Sequence, residues 1–213
     1  MKKLIAILVM AVLVVISTSA FGVEITITSP NGEQKKTTEP AFTTTQPTIS
    51  STDFSNCTWG MTFDDVKAAE GEHEWSSPDA GVMVYSGHVA DLDVIMCFFF
   101  DTNDTLYKGT IMTNEKHTND NLYISDYNKL KEALTLKYGN PNTDKTIWLN
   151  DLFKGDTSGY GLAVSIGHLV YKSTWETERT DIVMVLGGDN YDIAHAIVYT
   201  DKNHVEVSNT TGL

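Results

Sequence analysis

Residues 82–113 have the sequence VMVYSGHVADLDVIMCFFFDTNDTLYKGTIMT, and this stretch decides the predicted fold. It contains three runs rich in β-branched and aromatic residues, at 82–90, 92–100 and 106–113, which predict three strands. The segment DTNDT before the third run consists of residues that favour turns. Both faces of the run 92–100 are largely apolar, so we expect a central strand that is covered on both sides.

One helix is predicted before these strands in the sequence, and another after them. Thr62 and Asp65 have the spacing of a capping box, and Gly71 provides a stop about two turns later. A longer helix is predicted within residues 125–141, SDYNKLKEALTLKYGNP, with Ser125 as its cap. The apolar face of this second helix comprises Tyr127, Leu130, Leu134 and Tyr138.

The second half of the chain adds more strands. Four are predicted, at 145–150, 162–172, 181–187 and 192–200. The order is therefore αβββ-αββββ, and consecutive strands favour antiparallel pairing. The predicted class is α+β, an antiparallel sheet backed on one face by two short helices.

The N-terminal end has the layout of a secretory signal. Lys2 and Lys3 precede 13 uninterrupted apolar residues, and small residues follow. We predict a signal peptide over 1–22, a Thr/Pro-rich flexible linker over 23–53 and a single domain over 54–213. The alternative is an uncleaved anchor, although the apolar run falls short of the roughly 20 residues that span a bilayer. The expected location is outside the cytoplasm, as a secreted or bacterial cell-surface protein.

The charge of the chain restricts its partners. Loss of Lys2 and Lys3 would leave 13 basic residues against 28 acidic residues, a net charge of −15. Such a chain repels phosphate backbones, so nucleic acid is not an expected partner. A membrane contact is expected only through an uncleaved signal, if at all. An unknown protein or envelope component is the expected partner.

Two helical motifs carry a resemblance to known proteins. Residues 59–70, WGMTFDDVKAAE, and residues 125–148, with Tyr138, Gly139 and Trp148, resemble a group of exported bacterial proteins. Their architecture is similar to the β-lactamase-inhibitor-like and outer-membrane-assembly-lipoprotein-like folds, in which short helices back an antiparallel sheet. The resemblance implies a non-enzymatic binding role in the cell envelope, commonly toward another protein.

The sequence lacks the usual spacings of metal and cofactor sites. Six histidines are scattered, and no H-E-x-x-H or C-x-x-C pair occurs. Asp101 and Asn103 begin like a calcium loop, but Leu106 and Met112 replace the glycine and glutamate that such a loop needs. We therefore predict a hairpin turn there, and expect neither a metal nor a cofactor.

Nucleophilic catalysis has a weak signal. Ser86 and His88 lie on one face of a predicted strand, but no third group that would orient the histidine can be named. We therefore predict no catalytic residues and a protein that is not an enzyme. A cell-envelope hydrolase remains the alternative, and a passive surface or wall component is a third hypothesis.

The two cysteines, Cys57 and Cys97, form a possible disulfide. A bridge is permitted outside the cytoplasm, and closing a loop of this length contributes about 4 kcal/mol in the chain-entropy model. Whether the two residues meet depends on the fold, and an anaerobic source would leave them reduced.

The predicted binding residues are Tyr85, Phe99 and Tyr107. Phe99 shares a strand face with Ile95 and Cys97, and either this set or its opposite must lie on the sheet face without helices. Aromatic side chains on an open sheet face are common anchors for a partner. Core packing beneath loops is the alternative for each residue. The favoured hypothesis is a binding module that recognises a protein through the open sheet face.

Overall fold

The computed structural model describes residues 52–77 and 79–205. The predicted signal peptide and all but the last two residues of the predicted linker lie outside the described residues. Asp53, at the end of that linker, is already part of the packed structure. Its carboxylate accepts a hydrogen bond from the Trp59 backbone N–H at 2.9 Å and pairs with Arg179 at 3.2 Å.

The described chain contains three α-helices, seven strands and two short 3₁₀ helices. In chain order these are α1 (Phe63–Glu70), β1 (Val82–Val89), β2 (Leu92–Phe100), β3 (Leu106–Thr113), α2 (Asn121–Tyr138), β4 (Thr143–Trp148), the 3₁₀ helices Asp151–Phe153 and Thr157–Gly159, α3 (Tyr160–Ser165), β5 (Leu169–Glu176), β6 (Thr180–Asp189) and β7 (Asp192–Asp201). Within the described ranges, no helix is both long and apolar enough to span a bilayer.

The seven strands form one antiparallel sheet in the order β1-β2-β3-β7-β6-β5-β4. The predicted α+β class is confirmed. Strands β1, β2 and β3 form one consecutive antiparallel unit, and β4, β5, β6 and β7 form a second. The two units join where β3 pairs with β7. In the described structure, β1 and β4 are the outermost strands.

The first helix begins as the sequence predicts. The Thr62 side chain accepts from the Asp65 backbone N–H, and the Asp65 carboxylate accepts from the Thr62 backbone N–H, which completes the capping box. Gly71 ends the helix with φ +88°, a conformation that glycine adopts without strain. Val66 is fully buried and fixes this short helix to the sheet.

The second helix begins four residues before its predicted cap. Ser125 lies inside α2, which starts at Asn121, so the prediction of Ser125 as the cap is wrong. The Asn121 N–H donates instead to the Asn119 side chain at 3.1 Å. The predicted apolar face is confirmed for Tyr127, Leu130 and Leu134, which are buried.

The predicted strand 162–172 is wrong in its first half. Tyr160–Ser165 forms α3, Gly167 turns the chain with φ +77°, and β5 starts only at Leu169. The cause is a tertiary contact, because Gly161 packs directly against the backbone of Asn121 and donates to its side chain at 2.7 Å.

The helices divide the sheet into two different faces. On the helix-side face, side chains of β2 such as Met96, Phe98 and Phe100 join the main core together with Val66 of α1 and Tyr127 of α2. The opposite face, called here the far face, carries the alternate side chains of every strand. No described helix contributes a residue to the apolar cluster of the far face.

Candidate functional site

The far face carries its own apolar cluster, which we call the far-face cluster. Its buried members are Val84, Cys97, Phe99, Met112 and Ala196, with Val82, Ile95 and Tyr107 half-buried against them. The strand register explains this composition, since directly paired residues of an antiparallel sheet share a face. Val84 pairs with Cys97, and Ile95 pairs with Met112, which in turn pairs with Ala196.

The structure brings two of the three predicted binding residues together. Phe99 and Tyr107 both belong to the far-face cluster. Tyr85 pairs with Met96 and lies on the helix-side face, where its hydroxyl donates to Glu70 Oε2 at 2.7 Å. Burial and the neighbouring carboxylate raise the pKa of Tyr85. Tyr85 is thus a core residue. Side chains alternate along a strand, so Tyr85 points to the helix-side face while Val84 and Ser86 point to the far face.

Phe99 and Tyr107 lie on this face in packed positions. Phe99 is only 9% exposed, and the Lys108 ammonium group lies 5.1 Å from the centre of its ring. The Tyr107 ring stacks on His204 at 4.0 Å. The accessible apolar surface of the far face is therefore supplied by its half-buried residues, such as Val82 and Ile95, more than by Phe99.

The structure does not bring the two cysteines together. Both are free and buried. Cys57 belongs to the helix-side core, with its thiol 3.4 Å from Glu70 Oε1, whereas Cys97 belongs to the far-face cluster. The sheet separates them, so the bridge considered from the sequence is not formed. Burial raises the pKa of Cys97 to about 12, which leaves it as an inert thiol.

Two lysines lie directly opposite each other on the far face, at the β4 end of the sheet. Lys145 of β4 pairs with Lys172 of β5, and the neighbouring pair consists of Thr143 and Thr174, whose hydroxyls are 2.7 Å apart. Neither lysine forms an ion pair or hydrogen bond within the described structure. We call these four residues the lysine strip. Sequence reasoning missed the strip because only the strand register shows that the lysines are neighbours.

Two histidines lie within hydrogen-bond reach of carboxylates. His117 Nε2 is 2.6 Å from Asp126 Oδ2, and His88 Nε2 is 2.8 Å from Asp93 Oδ1. His88 therefore contacts Asp93, and not Ser86. In the described ranges, neither histidine ring is hydrogen-bonded to a serine, threonine or cysteine side chain. The described structure thus shows histidine–carboxylate pairs without an adjacent nucleophile.

The acidic turn after β2 is organised as a hairpin turn. Asp101 Oδ1 accepts hydrogen bonds from the backbone N–H groups of Asn103 at 2.8 Å and Thr105 at 3.0 Å. These bonds lower the pKa of the Asp101 carboxyl. Among the residues the structure describes, no group of three or more histidine, cysteine or acidic side chains has the geometry to hold a metal ion.

A chain of hydrogen bonds runs from the surface into the helix-side core. Lys131 Nζ donates to Asp144 at 3.0 Å, Ser173 Oγ donates to the same carboxylate at 2.7 Å, and the Tyr127 hydroxyl lies 2.6 Å from Ser173 Oγ. Ser173 is fully buried, so a substrate cannot reach it. The network serves to fix α2 on β4 and β5.

The helix-side core also contains a histidine without hydrogen-bond partners among the described residues. His195 is 3% exposed, and within that part of the chain neither ring nitrogen has a hydrogen-bond partner. Its ring lies 5.5 Å from that of Tyr127, and burial lowers its pKa to about 3. His195 is therefore a neutral side chain of the core at neutral pH.

A shallow, open depression lies where α1 ends. His73 and Trp75 line it, and the His73 ring stacks parallel to Tyr85 at 3.8 Å between ring centres. The His73 Nε2 atom is 3.1 Å from the Glu70 carbonyl oxygen. These rings close the end of α1 over β1, and Lys67 and Glu72 also line the depression.

Comparisons with known proteins give little further information. No protein-family model matches the chain, and no curated protein matches it. Among solved structures, a DUF4309 family protein (YjgB) from Bacillus subtilis is 18% identical and matches 73% of this chain and 86% of its own, with a TM-score of 0.35. A TM-score of this size is too low to establish a shared fold.

Proposed function

We propose that the protein is a non-enzymatic binding module outside the cytoplasm that recognises a protein partner through the far face of its sheet. The observation that carries this proposal is the far-face cluster, an apolar surface to which no described helix contributes. The secretory layout of residues 1–22 supports the location. The resemblance of residues 59–70 and 125–148 to exported bacterial binding proteins agrees with the role.

The shape of the far face favours a protein over a small molecule. The far-face cluster extends over four adjacent strands, from Val82 on β1 to Ala196 on β7. Small-molecule ligands are usually enclosed in a concave pocket, whereas a broad surface with an apolar centre and a polar rim suits another protein. The rim here includes His88 and Asp93, which are largely exposed.

A cell-envelope hydrolase is the second candidate, and the His117–Asp126 pair favours it. A histidine held by a carboxylate is part of a hydrolytic site, but such a site also needs a nucleophile and an oxyanion hole. The pair has a structural explanation, because the backbone N–H of His117 also donates to the Tyr123 hydroxyl at 3.2 Å. His117 thereby joins the chain before α2 to the first turns of that helix.

The proposal is tested by capture followed by reconstitution. The chain without residues 1–22 is immobilised and exposed to the envelope fraction of its source cells, and a captured protein is then purified and titrated by calorimetry. We expect Ile95→Lys to abolish binding, since it places a charge in the centre of the far face. The matched control Leu136→Lys changes a side chain that is 80% exposed on α2 and should bind like the wild type.

Folding of each variant is checked by circular dichroism and thermal unfolding. If Ile95→Lys does not fold, Val82→Lys replaces it, because Val82 lies at the margin of the same cluster. Unchanged binding by a folded far-face variant would exclude the far face. Turnover of an ester or glycoside by the wild type that His117→Gln abolishes would favour the hydrolase instead.

A further inference from the structure

The outer edge of β4 ends the sheet next to the lysine strip. Within the described ranges β4 pairs only with β5, so its other edge presents backbone N–H and C=O groups to a further strand. Lys145 is exposed and Lys172 is half-buried, and both side chains point to the far face. A positive surface thus adjoins an open strand edge.

The lysine pair has an energetic cost that protection of the edge does not explain. Like charges directly opposite each other on a sheet destabilise it by a few tenths of a kcal/mol or more. A lysine on an edge strand commonly blocks unwanted pairing, which accounts for Lys145. Lys172 lies on the second strand, where it blocks nothing. A role in recognition accounts for both.

The neighbouring far-face lysine behaves differently. Lys202 is neutralised by Glu176 at 2.9 Å and Asp181 at 3.5 Å. The chain has 28 acidic residues, yet no acidic side chain in the described structure pairs with Lys145 or Lys172. The lysine strip is therefore locally positive. At physiological salt the screening length is about 8 Å, so the two lysines act on a segment bound beside them more strongly than acidic residues farther away.

Exposed apolar side chains lie beyond the C-terminal end of the same edge. Leu149 directly follows β4 and is 68% exposed, and Leu152 in the next turn is 72% exposed. These two side chains offer apolar contact area to a segment that extends past the end of β4. A segment that continues along β4 would meet positive charge first and apolar surface next.

We propose that β4 is a docking edge for an extended, acidic peptide segment of a partner protein, which adds a strand to the sheet. Backbone hydrogen bonds to β4 supply affinity, as in other cases of strand addition. Carboxylates on alternate residues of the segment face Lys145 and Lys172, with the Thr143 and Thr174 hydroxyls beside them. This inference rests on the proposed function, since it names the chemistry of a partner for the same face.

The test uses a defined probe. An eight-residue peptide of alternating glutamate and threonine is titrated into ¹⁵N-labelled protein, beside a peptide with glutamine in place of glutamate. We expect amide shifts confined to β4, β5 and the turn after β4 for the glutamate peptide alone. The Lys145→Gln/Lys172→Gln double variant should bind about tenfold or more weakly, because two charge-assisted contacts are lost.

The matched control is Lys67→Gln, which removes one exposed lysine of α1, the helix that ends over β1 at the opposite edge of the sheet from β4. It should leave the affinity within about twofold of the wild type, as rim charges away from the contact contribute little. The double variant should be at least as stable as the wild type, since the like-charge repulsion is gone. Loss of binding can then not be attributed to misfolding.

Three outcomes would overturn the inference. These are equal shifts with the glutamine peptide, equal affinity of the double variant, and shifts produced by sodium phosphate at matched ionic strength but not by the glutamate peptide. The last result would assign the lysine strip to a free anion. Because the probe is a defined peptide, this failure is distinct from loss of the captured partner in the Ile95→Lys experiment.

Discussion

The two faces of the sheet belong to the same strands but carry different kinds of side chain. The helix-side face is filled with large aromatic side chains, such as Phe98, Trp175 and Tyr127, and closed by helices. Its polar atoms are mostly bonded, for example Trp175 Nε1 to the Gly139 carbonyl oxygen at 3.0 Å. The far face has smaller apolar residues, no described helix and unpaired lysines. Stability therefore resides mainly on one face, which leaves the other available for recognition.

The largest expected effect comes from two adjacent phenylalanines on opposite faces. Phe98 is fully buried and contacts the rings of Phe54, Trp75 and Tyr85. Phe98→Ala should lower the free energy of unfolding by about 3–5 kcal/mol, as expected for a fully enclosed aromatic ring. Phe99→Ala should cost about half as much, because no described helix covers its side of the sheet. Urea denaturation measures both, and equal losses would contradict the difference between the faces.

The predictable parts of this fold are those in which local sequence and tertiary structure agree. Strands β1 to β3 match the predicted ranges to within one residue because turn residues separate long apolar runs. Helix α3 was missed because its sequence, YGLAVS, is as apolar as a strand, and only the close contact between Gly161 and Asn121 fixes it as a helix. Local patterns do not contain that contact.

The candidate site was predictable only in part for a similar reason. Alternation along β2 correctly groups Phe99 with Ile95 and Cys97. Alternation within β2 does not show which residues of β1 share its faces, so the prediction places Tyr85 on the wrong face. The Lys145–Lys172 pair likewise depends on the register between two strands that a helix and two turns separate.

The next effect is an acid sensitivity that belongs to the helix-side face. His195 faces Tyr127 of α2 and pairs with Leu186 of β6, and burial lowers its pKa from 6.5 to about 3. The unfolded chain binds a proton below about pH 6.5 while the folded chain does not. The free energy of unfolding therefore decreases as the pH is lowered from about 6.5, and the loss reaches about 4 kcal/mol at pH 3.

Denaturation midpoints from pH 7 to pH 3 measure this contribution. His195→Gln should have a shallower pH dependence than the wild type, whatever its stability at pH 7. The control Leu136→Gln changes a side chain that is 80% exposed and does not titrate, and should keep the slope of the wild type. If His195→Gln has the same slope as the wild type, His195 is not a buried neutral residue.

The smallest expected effect is the response to a reducing agent. Since Cys57 and Cys97 lie on opposite faces, reductant should leave the melting temperature unchanged. Both thiols should react with a thiol reagent only after unfolding, because burial raises the pKa of each. A melting temperature that falls by several degrees on reduction would indicate a disulfide and would contradict the separation of the two residues.

The central claim is that the far face is open to a partner in solution. Its most direct test is the broadening of isoleucine methyl signals by a soluble paramagnetic agent, measured on the chain without residues 1–22. We expect the methyl groups of Ile95, half-buried on the far face, to be broadened strongly, and those of Ile182 and Ile197, at most 1% exposed, to be spared. Equal protection of Ile95 and Ile197 would show that the far face is covered and would contradict the account.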